Sequence, residues 1–200
     1  MYRGNSTRIF PIILVLIVVA IAIAALVSVG KTIFGGGDQP STAQTDTSEQ
    51  ALLNTAAGNS VRMTVRGPIV ADENFRSYRI AVDASGRNLT TYSGYLDQQL
   101  SNTQLSNNVK AYEEFVYALN RANLVKGTAL EGDKDDTRGI CATGNVYEFE
   151  VLQGGMVTKH LWTSTCKGSA GSFKGSVEQV RSLFLNQIPD NKQLLKPIDL

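Results

Sequence analysis

The sequence predicts an α+β fold behind a single membrane-spanning helix: a two-layer domain of mostly antiparallel sheet, about five strands, with two main helices. Three observations carry this expectation. One apolar run of 21 residues, Ile9–Val29, stands alone. After it, apolar and polar residues alternate in short blocks bounded by Gly, Pro, Asp and Ser, the pattern of half-buried strands. Two further blocks space their apolar residues by three and four, the pattern of amphipathic helices.

Within Ile9–Val29 only Pro11 and Ser28 fall outside the apolar set. At about 1.5 Å per residue such a helix matches a hydrocarbon core of about 30 Å. Pro11 lies in the first turn, where a missing N–H costs little. Residues 1–8 carry Arg3 and Arg8. Positive charge on the short N-terminal side predicts a cytoplasmic stub, a signal-anchor over 9–29 and everything after it outside the cytoplasm. The expected location is therefore the plasma membrane, single-pass, with the bilayer as a partner through 9–29. Ser28 and Gly30 also stand at −3 and −1 to a cut before Lys31, as in a cleaved signal peptide. The apolar run exceeds the about 7–15 residues of such a peptide, which favours a retained anchor.

The composition excludes other classes. No second apolar run of comparable length exists, so the chain is not polytopic. Three of the 19 Lys and Arg residues precede Phe34 and none of the 18 Asp and Glu do, which leaves a net charge of −2 beyond it. No Lys/Arg cluster stands out, so a nucleic-acid partner is not expected.

Residues 30–50 contain Gly35–Gly37, followed by Ser, Thr, Asp and Gln without hydrophobic periodicity, and read as a flexible linker. Around 48–56 a short helix capped by Ser48 is expected. The extracytoplasmic domain spans 51–189, with its sheet starting at about Ser60. Val61, Met63 and Val65 alternate with Arg62, Thr64 and Arg66 to form a first strand, ended by Gly67-Pro68. Tyr78, Ile80 and Val82 form a second. Asp83-Ala84-Ser85-Gly86 turns the chain, and Leu89–Tyr92 returns. A helix follows, capped by Asn107 or Asn108, with Val109, Tyr112, Phe115, Val116 and Leu119 on one face. Gly127–Gly139 is a polar loop. Tyr147, Phe149 and Val151 start a second hairpin that returns over Val157–Thr165. A last helix uses Val177, Val180, Leu183, Phe184 and Ile188 and stops at Pro189. Residues 190–200 are expected as a loosely held tail.

The two halves look alike. A shift of 69 residues lays Tyr78 on Tyr147, Ile80 on Phe149, Val82 on Val151, Gly86 on Gly155, Phe115 on Phe184 and Leu119 on Ile188. Duplication and coincident patterning both account for this.

Cys141 and Cys166 are the two cysteines. A hairpin turn at Gln153-Gly154 would set them opposite each other, and a turn at Gly154-Gly155 would offset them by two. Either register leaves them close enough for a disulfide, which an oxidising compartment permits. A C-x-x-C motif is missing, and two Cys with one His make a poor zinc site.

His160 is the one histidine. No G-x-S-x-G or S-x-x-K motif accompanies it, so a polar histidine on a sheet face is expected. Asp133, Asp135 and Asp136 resemble a calcium loop, but an EF-hand needs Gly and Glu where Arg138 and Gly144 stand. Glu148 and Glu150 could form a carboxylate pair for glycoside hydrolysis, yet cross-strand pairing with Arg62, Arg66 and Arg79 explains them without catalysis. Asn88-Leu89-Thr90 is a glycosylation sequon. Tyr92, Tyr95, Trp162 and His160 are the candidate binding surface. No motif asks for a cofactor or a metal, and none assigns a catalytic residue.

The segments RGICATGNVYEFEV (138–151), LWTSTCKGS (161–169) and AYEEFVYALNRAN (111–123) resemble small bacterial membrane-anchored proteins of unknown function. The resemblance implies the same plan of one N-terminal span, a polar tether and a small extracytoplasmic domain with two cysteines. It brings no activity with it. The strand–strand–helix layout is also similar to small secreted α+β modules such as some protease-inhibitor folds. The expected function is a membrane-anchored module that binds an envelope protein or polymer. A cell-surface hydrolase using His160 or Glu148/Glu150 is the first alternative, and an inhibitor-like or structural module the second.

Overall fold

The computed structural model describes residues 47–169, 171–198 and 200. The cytoplasmic stub, the 9–29 signal-anchor and the linker as far as residue 46 lie outside the described residues. Among the described residues no helix is long and apolar enough to cross a membrane.

The described chain runs α1 (Thr47–Leu53), β1 (Ser60–Arg66), β2 (Arg76–Asp83), β3 (Gly86–Ser93), β4 (Gln98–Ser106), α2 (Val109–Arg121), β5 (Val146–Gln153), β6 (Met156–Ser164), α3 (Val177–Leu185) and α4 (Asn191–Leu195). The expected α+β architecture holds, with every strand pair antiparallel. The sheet has six strands rather than about five, in the order β4-β3-β2-β1-β5-β6. The extra strand is β4. Its residues QQLSNTQLS are nearly all exposed and lack the apolar alternation that marks the others.

Val61, Met63, Val65, Tyr78, Ile80, Val82, Leu89, Tyr147, Phe149, Val151 and Leu161 face one side of the sheet, where they are buried with Tyr112, Phe115, Val116 and Leu119 of α2 and Val180 and Phe184 of α3. Phe115 and Phe184 meet edge-on with ring centroids 5.3 Å apart. Asn108 caps α2 as expected, its side chain accepting from the Ala111 N–H at 2.9 Å. Val109, placed on the apolar face by spacing, is instead half exposed at the first position of the helix.

The 69-residue shift is a property of the sheet register. Val61 pairs with Val82 on one side and Val151 on the other, Met63 with Ile80 and Phe149, and Val65 with Tyr78 and Tyr147. β2 and β5 therefore lie in equivalent positions on the two flanks of β1.

Four sequence boundaries move. The linker ends earlier than residue 50, because α1 starts at Thr47 and buries Leu52 against the core. Ser48 lies inside α1 rather than capping it. α3 ends at Leu185, and Ile188 is buried just beyond it. The tail is not loose. α4 lies within it and Ile198 is only 4% exposed, packed into the core. Apolar burial of Ile198 outweighs the polar residues around it that suggested a free end.

The second hairpin turns at Gly154-Gly155, where φ is +57° and +82°, the left-handed pair that a two-residue turn demands and glycine adopts without strain. A bulge between Val151 and Leu152 then shifts the register, so neither expected cysteine pairing describes the strands. The disulfide Cys141–Cys166 is nonetheless present. Cys141 lies before β5, in a loop that folds back toward the end of β6. Gly144 makes that fold possible, since a Cβ there would stand 2.1 Å from Thr165 Oγ1 and 3.1 Å from Cys141 Sγ.

Candidate functional site

The face of the sheet opposite the helices carries the polar residues of the alternating strands. β1 contributes Arg62, Thr64 and Arg66, β2 contributes Arg79, β3 contributes Tyr92, β5 contributes Glu148 and Glu150, and β6 contributes His160 and Trp162. The register sets Arg62 beside Glu150 and Glu150 beside His160. The Arg62 guanidinium donates two hydrogen bonds to Glu150, one of 2.8 Å from Nη2. Arg66 Nε donates to Glu148 at 3.0 Å, and its Nη1 lies 3.8 Å from Asp97. The expected Arg–Glu pairing is thus found for two of the three arginines. Arg79 instead donates to Thr64 at 3.2 Å and lies over the Tyr92 ring at 5.5 Å.

His160 is only partly open to solvent. The loop between α2 and β5 folds across it, so that Asp135 Oδ2 sits 2.8 Å from Nδ1, while Glu148 Oε2 lies 3.7 Å from Nε2. Glu148 and then Asp135 hold the imidazole pKa up to about 9, against the opposing effect of burial. Burial pushes the Glu148 carboxyl up, but His160 and Arg66 outweigh it and hold it below the usual carboxylate range. A ring that is cationic at neutral pH, with carboxylates at both nitrogens, has no lone pair with which to accept a proton. In this arrangement the ring is an ion-pair partner of both carboxylates. Thr137 donates to Glu148 at 3.2 Å and completes the strap of the loop onto the sheet.

Of the acidic loop residues, Asp135 is taken by His160 and Asp136 by the Arg138 side chain. Among the described residues no group of three or more His, Cys, Asp or Glu is arranged to hold a metal ion. The sequon residue Asn88 sits within β3, its Nδ2 donating to Asn102 of β4 at 2.7 Å.

The candidate binding residues do not form one patch. Tyr92 on β3 and His160 on β6 stand at opposite sides of the sheet, with β2, β1 and β5 between them. Trp162 is 4% exposed, and its Nε1 has no hydrogen-bond partner among the described residues. It is buried because the following segment lies along β6: Ser172 Oγ accepts from the Trp162 N–H at 3.0 Å, and the Phe173 N–H donates to the Trp162 carbonyl at 3.0 Å. Of the four, Tyr95 lines a cleft.

That cavity is an open cleft of about 490 Å³ at one end of the sheet, between the 67–75 loop, the β3–β4 turn and the loop before β5. Phe75, Cys141 and Val146 supply buried apolar walls, and Ile69, Ile140 and Tyr95 continue them outward. Arg66, Asp97 and Arg138 bring charge to the rim. Tyr95 is fixed in place. Its ring stacks on Phe75 at 4.2 Å, and its hydroxyl donates to the Val70 carbonyl at 2.7 Å while accepting from the Val70 N–H at 3.0 Å. Sequence reasoning found Tyr95 and the disulfide but missed Ile69, Phe75, Asp97, Arg138, Ile140 and Val146. They come from four separate loops or strand ends, and no local pattern unites them. The chain matches no protein-family model and no curated protein, so the functional reading rests on this geometry.

Proposed function

We propose that the chain is a single-pass membrane protein whose extracytoplasmic domain is a binding module of the cell envelope, taking its ligand in the cleft beside Tyr95. The carrying observation is the cleft itself. It joins apolar walls to a few convergent charged groups, as ligand sites do, and its lip is tied down by the disulfide and by the Tyr95–Val70 hydrogen bonds. A ligand with an apolar body and polar or ionic ends fits such a lining. The resemblance to small bacterial anchored proteins and the apolar run at 9–29 support the envelope location.

The hydrolase alternative gains nothing from this geometry, since His160 is held between carboxylates and Glu148 and Glu150 are each bound by arginine. The inhibitor alternative would want a projecting loop, whereas Asp135 and Thr137 are bonded to the sheet face and Ser172 and Phe173 are buried against β6.

Two measurements test the proposal. A C-terminal reporter that is active only outside the cytoplasm should be active, and activity of a cytoplasm-only reporter would overturn the topology. The full-length protein should retain envelope protein or polymer from its own cells, and Tyr95→Ala and Ile69→Asp should each reduce that retention at least tenfold. Retention that ignores both substitutions would overturn the cleft as the site.

A further inference from the structure

The cleft beside Tyr95 carries two groups of opposite charge at its rim, and neither is saturated. Arg66 directs its Nε–H to Glu148 at 3.0 Å, and among the described residues its Nη1 and Nη2 donate no hydrogen bond. The nearest carboxylate oxygen to Nη1 is that of Asp97 at 3.8 Å, an ion pair too long for a hydrogen bond. That carboxylate accepts no hydrogen bond from any described residue. Both side chains line the cleft and are partly open to solvent. Both are also fixed from behind. Glu148, which holds Arg66, is itself held by the Thr137 hydroxyl at 3.2 Å. Asp97 lies in the β3–β4 turn with φ +53°, a left-handed conformation that Asp adopts more readily than most residues. The Tyr95 N–H of that turn donates to Asp72 at 2.8 Å, and the Asp97 N–H donates to the Gly94 carbonyl at 3.3 Å. Arg138, the other charged residue of the lining, is already paired with Asp136.

We propose that the cleft recognises an α-amino-acid end group, with ammonium and carboxylate on one carbon, attached to an apolar body. This rests on the cleft being the binding site. The class of ligand follows from the two charges together. An anion seated on Arg66 lies within reach of Asp97, and a cation seated on Asp97 lies within reach of Arg66. A singly charged ligand therefore meets one attraction and one repulsion. A ligand with both signs meets two attractions. Its carboxylate accepts from the unused Nη edge of Arg66 and its ammonium donates to Asp97, so the charges alternate around a square. The two groups of the ligand hang from one carbon, a spacing comparable with the 3.8 Å between Arg66 and Asp97. The head of a zwitterionic phospholipid spreads its charges over several more bonds. Ile69, Phe75 and Val146 supply the apolar wall for the body. Because Arg66 and Asp97 are held in place before the ligand arrives, little ordering opposes binding. The end group belongs either to a free apolar amino acid or to a side branch of an envelope polymer.

The test is calorimetric titration of the full chain in detergent with leucine and phenylalanine of either hand, each beside its deaminated and its decarboxylated analogue. An amino acid should bind, and loss of either charge should weaken binding by about tenfold or more, the effect of one charge-assisted hydrogen bond. Asp97→Asn keeps the turn, since Asn also adopts left-handed φ readily. It should weaken the amino acid by a similar factor and strengthen the deaminated acid, a reversal that a misfolded variant would not produce. The amino acid should displace retained envelope material if the end group sits on a polymer, and should bind without displacing any if the free amino acid is the ligand. A wild type that binds the deaminated acid as well as the amino acid, or glycerophosphoethanolamine better, overturns the proposal. Retention of envelope material that depends on Tyr95 in a protein that binds neither amino acid overturns it too, and leaves the cleft standing as the site. Amino-acid binding that is equal in wild type and Tyr95→Ala overturns the proposal and the cleft together.

Discussion

His160 converts pH into stability. Its pKa rises from 6.5 to about 9 on folding, because Glu148 and Asp135 flank the ring. A raised folded-state pKa means the stabilisation is fully present below about pH 6.5 and is lost as pH climbs through 9. The ring's side chain is 21% exposed, so solvent screening trims the contribution to the order of 1–2 kcal/mol. Denaturant midpoints should therefore fall between pH 6.5 and 9 in the wild type, and His160→Gln should flatten that slope. An NMR titration midpoint near 6.5 would show that the two carboxylates do not hold the ring. Gly144 acts by size rather than charge. A methyl group there meets Thr165 Oγ1 at 2.1 Å, so Gly144→Ala should cost about 1–3 kcal/mol in chemical denaturation.

Elements differ in how visibly the sequence announces them. Asn108 caps α2 through a side-chain bond to the Ala111 N–H, so Asn108→Ala should lower the unfolding free energy by about 1 kcal/mol. Phe115 and Phe184 join α2 to α3, and truncating either to Ala should cost about 3–5 kcal/mol, enough to threaten the fold. These residues were legible because burial imposes a period: β1, β2, β5 and the two helices each have one apolar face. β4 was illegible for the same physical reason. A strand whose side chains are almost all solvated carries no pattern, and only its neighbour β3 recruits it. The tail was misjudged because its anchors are few and scattered: Ile198 is buried, with Leu194, Leu195 and Leu200 packed against the core beside it, and so short a run shows no clear period. The cleft was legible only in Tyr95 and the cysteines. Its walls are brought together by turns whose paths depend on the sheet twist and the disulfide rather than on local sequence. Deleting residues 196–200 would expose the core beneath Ile198 and should cost about 1.5–3 kcal/mol, read as a lowered denaturation midpoint.

For the molecule as a whole, the Cys141–Cys166 bond closes a loop across 25 residues that contains β5, β6 and the lip of the cleft. Reduction, or Cys141→Ser/Cys166→Ser, should remove about 3 kcal/mol of stability on the chain-entropy account. It should also free the 137–141 wall, so ligand retention should weaken before the domain unfolds. Unchanged retention after full reduction would mean that the cleft keeps its shape without the bond.

β1 joins the two halves, and that has a consequence for the order in which the protein is made. Its first partner, β2, follows within a few turns of chain, but its second must come from far downstream, with Arg62 and Glu150 separated by 88 residues. A nascent chain that has emerged only as far as α2 holds four paired strands and leaves one flank of Val61, Met63 and Val65 without its neighbour. That interval is when the protein is most open to wrong pairing. Contacts so distant in sequence also slow the final closure. Ribosome-bound chains halted before residue 146 should therefore engage chaperones, and chains released beyond residue 164 should let them go.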